Sequence, residues 1–262
     1  MTAFLLVGMA ITGGVVVVYS YLNLLKAQAE IEAKQDRLPK ITRLESNLTA
    51  TERDGEQVQL KELRGKVLLA GHVYTRCPRG CAGLAEIMRT FHQKFGSDPN
   101  FHLLSFTVDP EHDGPAQLKK FTDFHKIDGD NWWFLTDKEN PQAIRDYLTE
   151  QFRFRPVQDI PVEERMNEYD LFSHDMRLAL VDHEGNVRWY YDVLNAKFGE
   201  DQVSKLKSDL GKLIEESKKG REHGMSPVFI YVIFGIVILF VASAIIFRTL
   251  GKRGGEPGGT EA

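Results

Sequence analysis

Both cysteines of this 262-residue chain fall in one short run, Tyr74-Thr75-Arg76-Cys77-Pro78-Arg79-Gly80-Cys81. The run follows an apolar stretch, Val67 to Val73, that reads as a strand. A spacing of four at a strand-to-helix junction puts two soft sulfurs one helical turn apart. There they can clamp a thiophilic metal or exchange electrons as a disulfide.

Disulfide exchange enzymes of the thioredoxin type use C-x-x-C, whereas this run has one more residue between its sulfurs. With the longer spacing both thiolates can face one point, and Cu(I) accepts two thiolates and one imidazole as a soft trigonal site. A histidine is therefore sought among the eight present: His72, His92, His102, His112, His125, His174, His183 and His223. His174, in Leu171-Phe172-Ser173-His174-Asp175-Met176, precedes a predicted hairpin, where a loop at the sheet edge could fold back over the cysteines. His72 sits in a buried strand and reads equally as a core residue. His92, His125 and His183 fall on helix or turn surfaces. Position alone does not choose His174. Arg76 and Arg79 flank the sulfurs and are expected to favour thiolates. Asp109-Pro110 ends a strand, where a turn and helix cap is the ordinary reading and a supporting group near the cysteine loop the functional one.

The elements that must position these groups alternate. Thr49 to Leu60 reads as two short strands about Asp54-Gly55. A turn at Leu63 to Gly65 leads into a strand over Lys66 to Val73. Leu84, Ile87, Met88, Phe91 and Phe95 recur at helical spacing, which predicts an amphipathic helix starting at or just before Cys81. Phe101 to Val108 predicts a strand, Pro115 to Lys126 a helix, Trp132 to Leu135 a strand and Pro141 to Phe152 a helix. Arg153 to Tyr169 has no period and reads as a surface loop. Arg177 to Val181 and Val187 to Tyr191 predict a hairpin, and Gln202 to Ser217 a closing helix. This order predicts an α/β domain, a thioredoxin-like mixed sheet flanked by helices.

Two uncharged apolar stretches, Ala3 to Leu25 and Val228 to Phe247, are each long enough to cross a bilayer. The expected organisation is a transmembrane helix over 1–25, a polar stalk over 26–45, the thioredoxin-like domain over 46–217, a second transmembrane helix over 226–248 and a disordered tail over 249–262. Ala27-Gln28-Ala29 resembles a signal-peptide cleavage site, but no Lys or Arg precedes the first stretch and it exceeds a signal peptide's apolar core. The net charge of −4 and the interspersed charges leave no basic face, which excludes nucleic acid as a partner. Lys26, Lys34, Arg37 and Lys40 follow the first stretch and Lys212, Lys218, Lys219 and Arg221 precede the second. By the positive-inside rule alone, the domain belongs in the cytoplasm.

Three motifs in order, Tyr74 to Cys81, Val108-Asp109-Pro110-Glu111-His112-Asp113, and His174 before Leu178-Ala179-Leu180-Val181-Asp182-His183-Glu184-Gly185, resemble the Sco/SenC family over about Thr49 to Tyr191. The resemblance implies a membrane-tethered thioredoxin-fold domain that binds copper. It places the metal ligands on Cys77, Cys81 and His174 and implies a role in assembling the binuclear copper (CuA) centre of cytochrome c oxidase. The implied partner is the oxidase subunit that bears that copper, with the domain on the extracytoplasmic side of the cell membrane, against the charge count. Long domains are translocated largely regardless of charge. The alternative function for the same residues is a thiol-disulfide oxidoreductase, with Cys77 and Cys81 as its redox pair, acting on the cysteines of a copper-site apoprotein. A one-cysteine peroxidase is weaker, for Cys77 has a partner four residues on. The chain departs from the family's C-P-D-x-C-P pattern at Arg79 and Ala82, carries Ser173 where an acidic residue often precedes the histidine, and adds a second apolar span.

Overall fold

A computed structural model describes residues 19–28, which are helical (α1), and 38–222. Among these, no helix is long and apolar enough to cross a membrane. The second apolar stretch, the tail and most of the first stretch lie outside the described residues. The chain divides into two units, Met1–Ile214, which holds the whole sheet, and Glu215–Ala262.

The sheet is built around β4 (Val67–Val73) and β5 (Phe101–Thr107), each seven residues long and buried throughout. Nearly continuous apolar runs of this kind suit parallel strands covered on both faces, and β4 pairs parallel to β5 from Val67↔Phe101 to Val73↔Thr107. β6 (Trp132–Thr136) extends the parallel set. The hairpin strands β9 (Leu178–Val181) and β10 (Asn186–Tyr191) continue it antiparallel on the other side of β4. With β1 (Thr42–Arg43), β2 (Thr49–Glu52) and β3 (Gln57–Gln59), the order is β1-β10-β9-β4-β5-β6-β2-β3.

Side chains alternate between the sheet's faces, so β4 feeds two cores. Val67, Leu69 and Val73 join Leu84, Met88 and Phe91 of α2 (Cys81–Phe95), Leu118 of α3 (Pro115–Phe124) and Leu206 and Leu210 of α5 (Gly199–Glu222). Leu68 and Ala70 face Ile144 and Leu148 of α4 (Pro141–Glu150). This is the mixed sheet covered on both faces that the alternation predicts. Gly71 lets the layers close, because a Cβ there would lie 2.7 Å from Leu178 Cδ2 and 3.6 Å from Met88 Sδ.

Three features differ from the sequence reading. The presumed loop Arg153–Tyr169 contains β7 (Gln158–Asp159), which pairs with β8 (Phe172–Ser173) in a separate ribbon. Strands of two residues are too short to show a period. β1 falls inside the stretch read as stalk and pairs with β10. α3 ends at Phe124 because Lys126 turns to a φ of +54°.

Candidate metal centre

β4 delivers its carboxyl end to the cysteine loop, the place where open α/β sheets bind ligands. The buried Tyr74 follows, and the Cys77 N–H donates to its carbonyl oxygen at 3.1 Å, turning the chain. Thr75 is pinned through its N–H (3.1 Å) and its hydroxyl to the buried Asp113, which also accepts from the Thr107 hydroxyl at 2.8 Å. Gly80, at φ +140°, adopts a backbone conformation that L side chains rarely reach, and so admits the chain to α2 at Cys81. The Leu84 N–H then donates to the Gly80 carbonyl at 3.0 Å, closing the helix's first turn.

His174 arrives from the far side, immediately after β8. Its Nε2 stands 3.5 Å from Cys81 Sγ, and its Nδ1 lies 3.1 Å from the Asp175 carbonyl oxygen. That carbonyl accepts a hydrogen bond from the Nδ1–H and leaves Nε2 turned to the sulfurs, where its lone pair can be offered to a cation. The ligand atoms of Cys77, Cys81 and His174 all lie within 4.8 Å of one another.

The sulfurs differ in character. Cys77 is half-buried and its thiol is pulled down to about 4, first by the hydrogen bond from the Cys81 thiol. Hydrogen bonds from His174 and from the N–H groups of Cys81 and Arg79 add to this against the cost of burial. Cys81, 2 % exposed, is held well above the ordinary thiol range because it donates to Cys77 and is buried. The pairing thus favours the charge on Cys77 over Cys81, and both cysteines are free. Two sulfurs and one imidazole converging from separate elements form a donor set suited to a soft cation. The same sulfurs can also close as a disulfide.

The two arginines also have carboxylate partners that the sequence does not show. The Arg76 guanidinium binds Asp109 at 2.7 Å, and Arg79 grips Asp170 through Nε at 2.7 and 2.8 Å. Both guanidiniums bind carboxylates, and Arg79 serves the Cys77 sulfur as expected through its charge and also through its backbone N–H, at 3.4 Å. Asp109 closes a turn, its carbonyl accepting the N–H groups of His112 and Asp113, but it caps no helix, for Gly114 stands at the start of α3; its carboxylate braces the cysteine loop.

His72 lies beside the site without joining the donor group, its ring centroid 5.2 Å from that of His174 and 4.9 Å from that of Phe154. Burial, with the neighbouring His174 adding, pushes it down to about 3, so it is a neutral wall. His92 bonds Asn131 at 2.8 Å, His102 packs edge-on to Trp133 and His125 packs at a tilt against Phe121, all away from the sulfurs. Sequence reasoning missed Tyr74, Asp170 and Asp175. Asp175, fully buried, accepts from the Arg155 and Arg177 N–H groups and the Arg177 guanidinium. Burial opposes its charge, yet these donors hold its carboxyl far below the usual range. Its place next to His174 was the one available signal. Met176, also missed, packs with Cys77 and Phe172 against Tyr74, Cys81 and Val108.

The family model described as SCO1/SenC matches residues 38–209. The SCO1 protein homolog of Bacillus subtilis (strain 168) is 29 % identical over 161 residues, 61 % of this chain and 79 % of that protein. Among solved structures, BsSco, described as a member of the Sco family of cytochrome c oxidase assembly proteins with a disulfide switch, is 28 % identical with a TM-score of 0.53. That match covers 68 % of this chain and 98 % of BsSco. A SCO1/SenC family lipoprotein of Bacillus anthracis str. Ames gives a TM-score of 0.53 at 24 % identity, over 64 % of this chain and 95 % of that one, a likeness of fold.

Proposed function

The chain belongs to the SCO1/SenC family, and from that premise we propose that it is a membrane-anchored copper carrier that assists assembly of the CuA centre of cytochrome c oxidase. The observation that supports this most is the meeting of Cys77, Cys81 and His174, 93 residues apart at its widest step, within 4.8 Å. Cys77 and Cys81 would supply thiolates and His174 a neutral nitrogen, a set that favours Cu(I) over harder cations. Copper is cargo here. The carrier must bind it firmly enough to hold and present it on an accessible side, and Cys77, the more exposed sulfur, faces that side. The partner in this reading is the copper-bearing oxidase subunit, and the domain faces the extracytoplasmic side between two spans.

Titrating the purified full chain with Cu(I) against a chromogenic chelator, without oxygen, tests the reading. One copper per chain is expected, abolished in Cys77→Ser and in Cys81→Ser and weakened in His174→Ala. Cysteine variants that bind copper as well as the parent would overturn it. Labelling intact cells with a membrane-impermeant thiol reagent tests the orientation: reaction only after lysis would place the domain inside.

The second reading is a thiol-disulfide oxidoreductase with Cys77 as the attacking sulfur. It is favoured by the unequal exposure of the two cysteines and by the disulfide switch described for BsSco. A reduction potential below about −300 mV with slow exchange would mark an inert structural bond and remove it.

A further inference from the structure

The ribbon that delivers His174 is not part of the eight-stranded sheet: β7 and β8 pair only with each other, at Gln158↔Ser173 and Asp159↔Phe172. Its tip carries Val162, Met166 and Tyr169 exposed, while at its base Phe172 packs with Val157 on Tyr74, Cys81 and Val108 and lies under the Arg145 guanidinium of α4. What grips the tip is the cysteine loop. Arg79, between the two cysteines, forks onto Asp170 with contacts of 2.7, 2.8 and 2.5 Å, and its second nitrogen also donates to the Glu164 carbonyl at 3.3 Å. Asp170 is 1 % exposed and takes the Met166 N–H at 2.9 Å, so the carboxylate ties the ribbon's tip together as well as tying it to the loop. Tyr74 donates its hydroxyl to the Tyr169 carbonyl at 2.5 Å, and the Arg76 guanidinium lies 5.5 Å over the Tyr169 ring. From Asp170 the chain runs through Leu171 and β8 straight to His174.

We propose that the Arg79–Asp170 pair is a positioning clasp by which the loop bearing the sulfurs holds the arm bearing the imidazole, so that the three-ligand site assembles only while the clasp is closed. The proposal rests on the copper-site reading for its metal readout but not for its structural one. Neither residue touches the reacting atoms through its side chain, and both act through His174. A planar, two-pronged donor fixes the direction of the arm as well as its distance, which a lysine's point charge does not do.

The test uses the double variant Arg79→Gln/Asp170→Asn in the full chain, which removes both charges and leaves no unpaired one buried, beside Arg79→Lys. Two readouts are taken. In the metal-free protein, hydrogen exchange over residues 158–174 is expected to quicken in the double variant while β4 and β5 stay protected. In Cu(I) titrations the double variant is expected to lose affinity by about 10- to 100-fold, approaching His174→Ala, with Arg79→Lys in between. In the Cu(II) form its electron spin resonance spectrum is expected to lose the imidazole nitrogen splitting. A double variant with unchanged arm exchange and unchanged nitrogen splitting would overturn the clasp. So would one whose melting temperature drops while both signatures persist, since the pair would then be merely structural. If the parent chain binds no copper, the copper reading fails and the exchange experiment alone decides the clasp.

Discussion

Cys81 and His174 come within 3.5 Å of each other, yet different forces bring them there. Cys81 opens α2, whose Leu84, Met88 and Phe91 are sunk into the core against β4, so the sulfur side is fixed by apolar burial. His174 follows a ribbon with strands of two residues, and beside a small apolar patch of Phe172 and Met176 its neighbours are held by directional polar contacts: Asp170 with Arg79, Asp175 with Arg177, Tyr74 with Tyr169. Burial tolerates small displacements, whereas forked hydrogen bonds either form or break. The thiolate pair should therefore outlast disturbances that release the imidazole, and a site of this build can pass between a two-sulfur and a three-ligand state without unfolding.

The sharpest break in this contrast comes from the sulfur side. Leu84→Ala, at a fully buried position in the first turn of α2, is expected to cost about 2–5 kcal/mol in urea unfolding. A loss under 1 kcal/mol would show that the core does not hold that side. Next, Gly80→Ala forces a methyl group onto a φ of +140° and is expected to cost about 1–3 kcal/mol. It should also disturb thiol reactivity, which alkylation rates would reveal. Acid provides a third lever. His102, buried beside Trp133, is pushed down to about 3 by desolvation, with Lys66 adding. Its unfolded counterpart titrates near 6.5, so the unfolded chain binds the extra proton first. The stability His102 contributes is complete above about pH 6.5 and is lost as pH falls toward 3, by up to about 1.4 kcal/mol per unit. Urea midpoints at pH 7, 5.5 and 4.5 should fall accordingly and fall less in His102→Phe; identical slopes in the two proteins would contradict this. The smallest effect belongs to the arm: His174→Ala should move the metal-free unfolding free energy by no more than about 0.5 kcal/mol, and a loss of several kcal/mol would place His174 in the core.

The same contrast governs what was legible from sequence. Helical spacing from Leu84 to Phe95, the apolar runs of β4 and β5 and the hairpin about Gly185 all leave periodic or turn signatures, and the sheet and its helices were read from them. The cysteines announced themselves by spacing. His174 was the leading candidate by its place before the predicted hairpin, but only the family resemblance chose it, because no local pattern shows that a histidine meets a sulfur 93 residues away. The ribbon was invisible for a related reason: its two pairings are too few to make a period, and its hold on the domain includes a pair, Arg79 and Asp170, separated by 91 residues. Arg79 was read only as a charge favouring the thiolate, which it is, because the sequence showed its neighbours along the chain and not the carboxylate it grips.

The central claim is that Cys77, Cys81 and His174 act as one soft metal site. X-ray absorption of the Cu(I)-loaded full chain, beside His174→Ala, tests it most directly. The account predicts two sulfurs and one imidazole nitrogen around each copper in the parent, with the nitrogen gone and both sulfurs kept in the variant. An identical nitrogen signal in both proteins, or a parent spectrum with fewer than two sulfurs, would contradict it.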